Sequence, residues 1–304
     1  MSNIGFIGAS GLMGHGMAKN LQLKGHALHL TVHRNRERVT DLVERGAVRA
    51  ESPAELAARC DAVFICVTGT PQVEGLFAGE RGLLARPKPG LVIIDCSTSE
   101  PASTAALRER CAAQQVLLVD APLARSAADA EAGRLTVMVG AEQADFARVE
   151  PWLRCFAENL HHVGPPGAGH VVKLLYNFMA QAICTSTAEA FAVGRRAGVD
   201  LGQLVAVTTV GAVNSGLFQA MAKTLQGDVK GLSFELDNAR KDLRYYTHLA
   251  ESLTVPAWLG EAVHQSLTLA SALGHGAKFV PSLVEAQEQV IGETLVARRP
   301  IRDS

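Results

Sequence analysis

Asn3-Ile4-Gly5-Phe6-Ile7-Gly8-Ala9-Ser10-Gly11-Leu12-Met13-Gly14 opens the chain with a short β-rich run and a glycine-rich turn, and His15 to Lys24 after it has helical character. A strand that feeds a helix through such a turn brings backbone N–H groups and the positive end of the helix dipole to one point, where a pyrophosphate can sit. The stretch therefore predicts a nucleotide-binding βα unit with contacts from Gly8, Ser10, Gly11, Leu12, Met13 and Gly14. A βα turn that needs glycine only for its shape is the competing reading. The next strand, Ala27 to Val32, ends at His33-Arg34-Asn35-Arg36, roughly 20 residues past Gly14, where an NAD enzyme usually places an acid for the ribose 2'-hydroxyl. No acid stands there. His33, Arg34, Asn35, Arg36 and Arg38 make a cationic, hydrogen-bonding cluster suited to a 2'-phosphate, so NADP(H) is predicted over NAD(H). A solvated basic turn before a helix gives the same residues.

The alternation continues outward. Ala62 to Thr68, Leu91 to Cys96, Val116 to Asp120, Leu135 to Val139 and a last run near Leu160 to Val163 read as strands, separated by helical stretches rich in alanine, leucine and arginine. That pattern predicts an α/β domain with an open, mainly parallel sheet. Ligands bind at the C-terminal ends of such strands, which singles out Thr68 with its neighbours to Pro71, Ser97-Thr98, and Asp120 to Ser126. Beyond Gly164 strand-like runs all but disappear. Helices are predicted over His170 to about Arg196, Leu201 to Val210, Ser215 to Leu225, Asn238 to Ser252, Pro256 to Ala272 and Pro281 to Leu295. The expected division is residues 1–163 for the nucleotide-binding domain and 164–304 for an all-helical domain.

Composition agrees with a globular protein of about two domains: 304 residues, 48% hydrophobic and 19% charged. With 29 Lys and Arg against 30 Asp and Glu, the net charge of -1 gives no reason to expect nucleic acid or an anionic membrane as partner. The six cysteines are scattered with no Cys-x-x-Cys pair, so reduced, buried thiols are expected and no metal site is predicted. The first strand begins too early for a signal peptide, and no uncharged apolar run reaches membrane-spanning length. A cytoplasmic location is expected.

Chemistry is expected at the start of the long helix, Gly167-Ala168-Gly169-His170-Val171-Val172-Lys173 through Asn177. Lys173 and Asn177 are four residues apart and share a helical face. Apolar neighbours Val171, Val172, Leu174, Leu175, Phe178 and Met179 predict a partly desolvated ammonium, and desolvation moves a lysine toward the range useful for proton transfer. A solvated surface lysine is the alternative. His170 reads as a packed or solvent-facing histidine, or as a second acid.

These residues resemble the β-hydroxyacid dehydrogenase family, the 3-hydroxyisobutyrate dehydrogenase-like enzymes, across essentially the whole chain. The opening glycine turn with Met17 to Leu21 resembles the family's cofactor signature, Asp120-Ala121-Pro122 its substrate-loop motif, Gly167 to Asn177 its catalytic signature, and Phe234 to Leu236 with Lys241-Asp242-Leu243 its C-terminal one. The resemblance implies a Rossmann domain, a long interdomain helix, a helical domain that helps to build a homodimer or homotetramer, and reversible reduction of small anionic aldehydes or ketones by NAD(P)H. It also implies roles: Lys173 for proton transfer, Asn177 to orient the substrate, and Lys241 and Asp242 near the nicotinamide end; Thr68 and Thr98, at the strand ends, are expected among the cofactor contacts. Three departures stand out. The first turn has two residues between Gly8 and Gly11 where the family has one. The family's serine and two glycines after Asp-x-Pro-Val become Ala124, Arg125 and Ser126, which resembles the loop of sulfolactaldehyde reductases and predicts that Arg125 and Ser126 bind a substrate anion. Arg125 pointing to solvent, or paired with Asp129 or Glu131, is the alternative. Tyr176 replaces an asparagine before Asn177. A non-catalytic cofactor-binding module and an imine reductase-like enzyme are the other functions considered; the presence of Lys173 disfavours both.

Overall fold

The protein is described from a computed structural model, which covers residues 1–32 and 35–297. β1 (Asn3–Ile7) leads through the glycine turn into α1 (Leu12–Leu23). The alternation continues with β2 (Ala27–Thr31), α2 (Thr40–Glu44), β3 (Val48–Arg49), α3 (Pro53–Arg59), β4 (Ala62–Ile65), α4 (Thr70–Leu76), β5 (Val92–Asp95), α5 (Pro101–Ala112) and β6 (Leu117–Asp120). These strands are parallel in the order β3-β2-β1-β4-β5-β6, the doubly wound arrangement. Such a sheet is covered on both faces, so its central strands β4 and β5 are buried at every position and β1 at all but its first. Ile4, Phe6, Leu30, Phe64 and Ile94 enter one buried cluster, and Ile7, Val63, Ile65, Ile93 and Leu118 another. The strand order reverses between β1 and β4, which places Gly8 at the crevice where such sheets bind ligands.

The sheet then changes direction. β7 (Leu123–Ala124), α6 (Ala127–Glu131), β8 (Leu135–Gly140), α7 (Gln143–Leu153) and β9 (Ala157–Gly164) follow, with β8 antiparallel to β6 and β7 and β9 parallel to β8. The mainly parallel sheet matches the expectation. The two-residue strands β3 and β7 are too short to leave a period-2 pattern, and β9 begins earlier than the apolar run near Leu160 because its exposed half is polar.

Contacts divide the chain into a compact unit from Met1 to Lys173 and a second from Leu174 onward, and α8 (Ala168–Arg196) belongs to both. The second unit is helical: α9 (Leu201–Val210), α10 (Gly216–Ala222), α11 (Leu236–Ser252), α12 (Trp258–Ala270) and α13 (Leu283–Ile291). Along α8 the buried positions Asn177, Gln181, Cys184, Ala188 and Phe191 recur at helical spacing and define its inward stripe. Cys184, Ala188 and Phe191 pack with Phe218, Met221, Leu236, Leu243, Val263, Leu267 and Leu283. Truncating a buried anchor such as Phe191 to alanine costs about 3–5 kcal/mol. α13 stops before the expected Leu295 because Gly292 adopts φ +69°, a left-handed helix end. Among the described residues no helix is long and apolar enough to cross a membrane.

Candidate active site

The first turn is built around positions that only glycine satisfies. Gly8 has φ +97°, and a Cβ there would lie 2.0 Å from the Cys66 carbonyl oxygen; at Gly14 it would lie 2.2 Å from the Gly8 oxygen. The Gly11 N–H donates to the Gly8 oxygen at 2.9 Å, a turn that absorbs the extra residue and lets α1 begin at Leu12. No side chain caps this helix. Its first-turn donors are thus available to a diphosphate, and the cradle has the close backbone approach that a dinucleotide needs. Ser10, Leu12 and Met13 line the same turn.

The neighbouring strand ends are tied to one another. Ile65 pairs with Asp95, so Thr68 and Thr98 each lie three residues beyond a matched position. The Ser97 hydroxyl accepts from the Val67 N–H at 3.0 Å and Thr70 Oγ1 from the Glu100 N–H at 2.9 Å. Thr68 is exposed and Thr98 half-buried at this rim. Of the basic turn, Asn35 is exposed, Arg36 precedes the short 3-10 turn at Glu37–Val39 and Arg38 lies within it; His33 and Arg34 lie outside the described residues. A cavity of about 340 Å³ lined by Leu12, His15, Arg38, Ala127, Ala128 and Glu131 joins the first turn of α1 to Arg38.

Beside it lies a network that sequence reading missed. His15 Nε2 is 2.9 Å from Asp41 Oδ1 and Nδ1 is 2.5 Å from Glu131 Oε1, while Lys19 also pairs with Glu131. Burial disfavours the charged imidazole, but the bonds to Asp41 and Glu131 outweigh it and raise the His15 pKa. Burial likewise opposes the two carboxylates, and their partners nevertheless hold both below the ordinary carboxylate value. Three helices contribute, so no local pattern announces the cluster. Thiol chemistry has no footing here, since the cysteines are unpaired and burial pushes Cys60, Cys111 and Cys184 up to about 12.

The start of α8 is clamped from β6. Asp120 Oδ1 accepts from the Gly167 N–H at 2.7 Å and Oδ2 from the His170 N–H at 3.0 Å. Glycine at 140 and 169 is explained by this contact: a Cβ at either would come within 2.7 Å of Asp120 Oδ2. The aspartate of the substrate-loop motif is thus a cap for the catalytic-signature helix. His170 is fully buried, which settles its reading as a packed histidine. Lys173, one turn on, is half-buried, with Leu174 buried and Leu175 and Met179 exposed.

In the substrate loop, Arg125 has φ +83°, a left-handed conformation where the family has glycine. Its guanidinium pairs with Glu158 and donates to the Arg134 carbonyl oxygen at 2.7 Å, partners other than the Asp129 or Glu131 of the alternative reading. The Ser126 hydroxyl accepts from the Asp129 N–H at 3.2 Å and bonds Asp129 Oδ2 at 2.6 Å, a capping box for α6. Both side chains therefore have protein partners.

Within the second unit, Asn177 Nδ2 donates to Asp242 Oδ2 at 2.5 Å, and Lys241 Nζ pairs with Asp242 Oδ1 at 2.8 Å. Three residues singled out separately thus form one cluster, and Asn177 and Asp242 are almost fully buried. Among the described residues no three His, Cys, Asp or Glu side chains are grouped to hold a metal.

Residues 3–164 match the family described as the NAD binding domain of 6-phosphogluconate dehydrogenase, and residues 167–285 the family described as NAD-binding of NADP-dependent 3-hydroxyisobutyrate dehydrogenase. The chain is 36% identical to an L-threonate dehydrogenase of Cupriavidus necator, over 90% of this chain and 92% of that one. It is 31% identical to a 3-sulfolactaldehyde reductase of Escherichia coli, over 97% and 98%. A crystal structure of a 3-hydroxyisobutyrate dehydrogenase from Salmonella typhimurium superposes with a TM-score of 0.80 at 29% identity, covering 93% of this chain and 99% of that one.

Proposed function

Because this chain belongs to the β-hydroxyacid dehydrogenase family of NAD(P)-dependent oxidoreductases, we propose that it interconverts a small anionic β-hydroxy acid and its carbonyl counterpart, with NADP(H) preferred and Lys173 as proton donor and acceptor. The nicotinamide cofactor, when bound, supplies or takes the hydride. Charge developing on the carbonyl oxygen requires a proton from a positioned group. The observation that carries this reading is the start of α8, where Asp120 fixes the first turn and Lys173 follows one turn later. Asn177, held by Asp242, orients the substrate oxygen, and Lys241 and Asp242 border the nicotinamide end. Gly8, Ser10, Gly11, Leu12, Met13 and Gly14 hold the diphosphate, Thr68 and Thr98 the nicotinamide side, and the basic turn through Arg38 the 2'-phosphate. The cavity joining Leu12 to Arg38 supports that preference.

For the substrate, threonate and sulfolactaldehyde, named in two relatives, both carry one acidic group. That supports a small anion here, held at the loop of Arg125 and Ser126. Arg125 reaches it by exchanging Glu158, a partly exposed pair whose loss costs at most about 1 kcal/mol. We also infer a homo-oligomer, supported by the apolar Val207, Val210 and Trp258 left exposed on the helical unit. The test is Lys173→Ala beside wild type, with both nicotinamides and a panel of two- to four-carbon aldehydes bearing carboxylate or sulfonate. The reading expects kcat to fall roughly 10²- to 10⁴-fold with cofactor affinity nearly unchanged, and NADPH to bind more tightly than NADH. Near-normal kcat removes Lys173 from the mechanism, and equal affinities remove the NADP preference.

A further inference from the structure

Behind the first turn of α8 lies a buried polar cluster of which the proposed chemistry uses only Asp120. His170 is 0% exposed, Asp95 2%, Thr104 4% and Asp120 1%. Burying such groups is costly unless they are paired, so their pairing shows what the cluster holds. Asp120 gives both oxygens to the backbone of α8. Asp95, at the end of β5, accepts from the Ser97 N–H at 2.9 Å and the Ser99 hydroxyl at 3.2 Å, which shapes the loop carrying Thr98. His170 joins these two sites. Its Nδ1 is 2.8 Å from Thr104 Oγ1 on α5, and its Nε2 stands 3.7 Å from Asp95 Oδ2. Thr104 also donates to the Glu100 carbonyl oxygen at 3.2 Å, so its hydroxyl oxygen is left to accept from Nδ1–H.

One residue is thus anchored twice. The backbone of His170 on Asp120 fixes how far α8 sits along its axis, and its ring on Thr104 fixes how the first turn is rotated about that axis. Lys173 follows three residues later, on the adjacent turn. At a side-chain radius of about 6 Å, a rotation of 10° displaces a side-chain tip by about 1 Å, and a misplacement of that size can cost a reacting group about 10²-fold in rate. We propose that His170 is a positioning residue for Lys173, acting through its ring on Thr104 and facing Asp95. The inference rests on Lys173 being the proton-transfer group.

The experiment compares His170→Ala, His170→Asn and Thr104→Val with Lys173→Ala and the Lys173→Ala/His170→Ala pair, each checked for folding by its thermal transition. His170→Ala is expected to lower kcat about 10- to 100-fold while KM for substrate and for NADPH changes less than about threefold. Asparagine places a side-chain nitrogen where Nδ1 was, so His170→Asn should recover to within about threefold of wild type. Thr104→Val keeps the shape and removes the hydroxyl, and should lower kcat about three- to tenfold. In the Lys173→Ala background, removal of the imidazole should have almost no further effect on kcat, since it acts through a side chain already gone. Full additivity of the two losses would overturn the proposal, as would a folded His170→Ala with unchanged kcat or a loss confined to KM. If His170→Ala does not fold, Thr104→Val decides, and an unchanged kcat there is the overturning result. A normal kcat in Lys173→Ala sinks the proton-transfer reading and this inference with it; a depressed one beside unaffected His170 and Thr104 variants sinks this inference alone.

Discussion

Two helix starts in the N-terminal unit are built in opposite ways. α1 begins at a glycine with no capping side chain, behind a turn in which Gly8 and Gly14 have no room for a Cβ. α8 begins with the Gly167 and His170 N–H groups already taken by Asp120. The open end suits an anion and the closed end serves as a fixed base for its helix. The difference shows that one helix start keeps its donors for a ligand while the other spends two of them on holding its own first turn in place.

The largest expected effect breaks the open end. Gly8→Ala forces a Cβ to 2.0 Å from a carbonyl oxygen at φ +97°, and should destabilise the fold by about 3 kcal/mol or more and abolish cofactor binding, as read by denaturant unfolding and NADPH titration. Gly11→Ala meets only the Gly8 oxygen, at 3.1 Å, and should fold and bind nearly normally. A smaller effect is expected where β9 meets the substrate loop. If Glu158 competes with the substrate for Arg125, Glu158→Gln should lower KM for anionic aldehydes two- to fivefold, within the range of about 1 kcal/mol for exposed pairs. Neutral aldehydes should not respond; an equal change for both classes returns Arg125 to a purely structural part.

The smallest effect lies beside the open end. His15 has a raised pKa, so its contribution to stability is complete below the ordinary histidine value and is lost as pH rises through the raised one. Asp41 and Glu131 are depressed, so theirs is present above the ordinary carboxylate values and is lost as pH falls through the lowered ones. The carboxylates are partly exposed, which keeps the total below about 1 kcal/mol. The stability gap between wild type and His15→Gln should shrink in thermal unfolding as pH rises above the ordinary histidine value and through the raised one; a gap that widens contradicts the assignment.

What was legible in the sequence was local. Gly8 to Gly14 and the run from Gly167 to Asn177 carry their turn and helix signals within a few residues, and both form as read. What was hidden joins residues far apart in the chain. Asp120 reads as part of a loop motif, but its two partners lie after β8 and β9, and no periodicity marks a carboxylate as a cap for a later helix. Arg125 is expected to meet a substrate anion, with acids a helical turn away as the alternative, whereas Glu158 reaches it through the pairing of β8 with β9, a strand neighbour that short-range patterns do not specify. His15 shows the same limit, with its two acids on different helices.

The measurement that tests the central claim most directly is NADPH titration together with single-turnover hydride transfer in Asp120→Asn, which keeps the size of the side chain but removes its charge and one of its two acceptors. The account predicts a cofactor Kd within about threefold of wild type and a hydride-transfer rate at least about tenfold lower, since a charge-assisted bond holding the proton-donor helix is weakened by about 1.5–3 kcal/mol. A weakened Kd with an unchanged transfer rate would contradict it, because the closed helix start would then be serving the cofactor rather than Lys173.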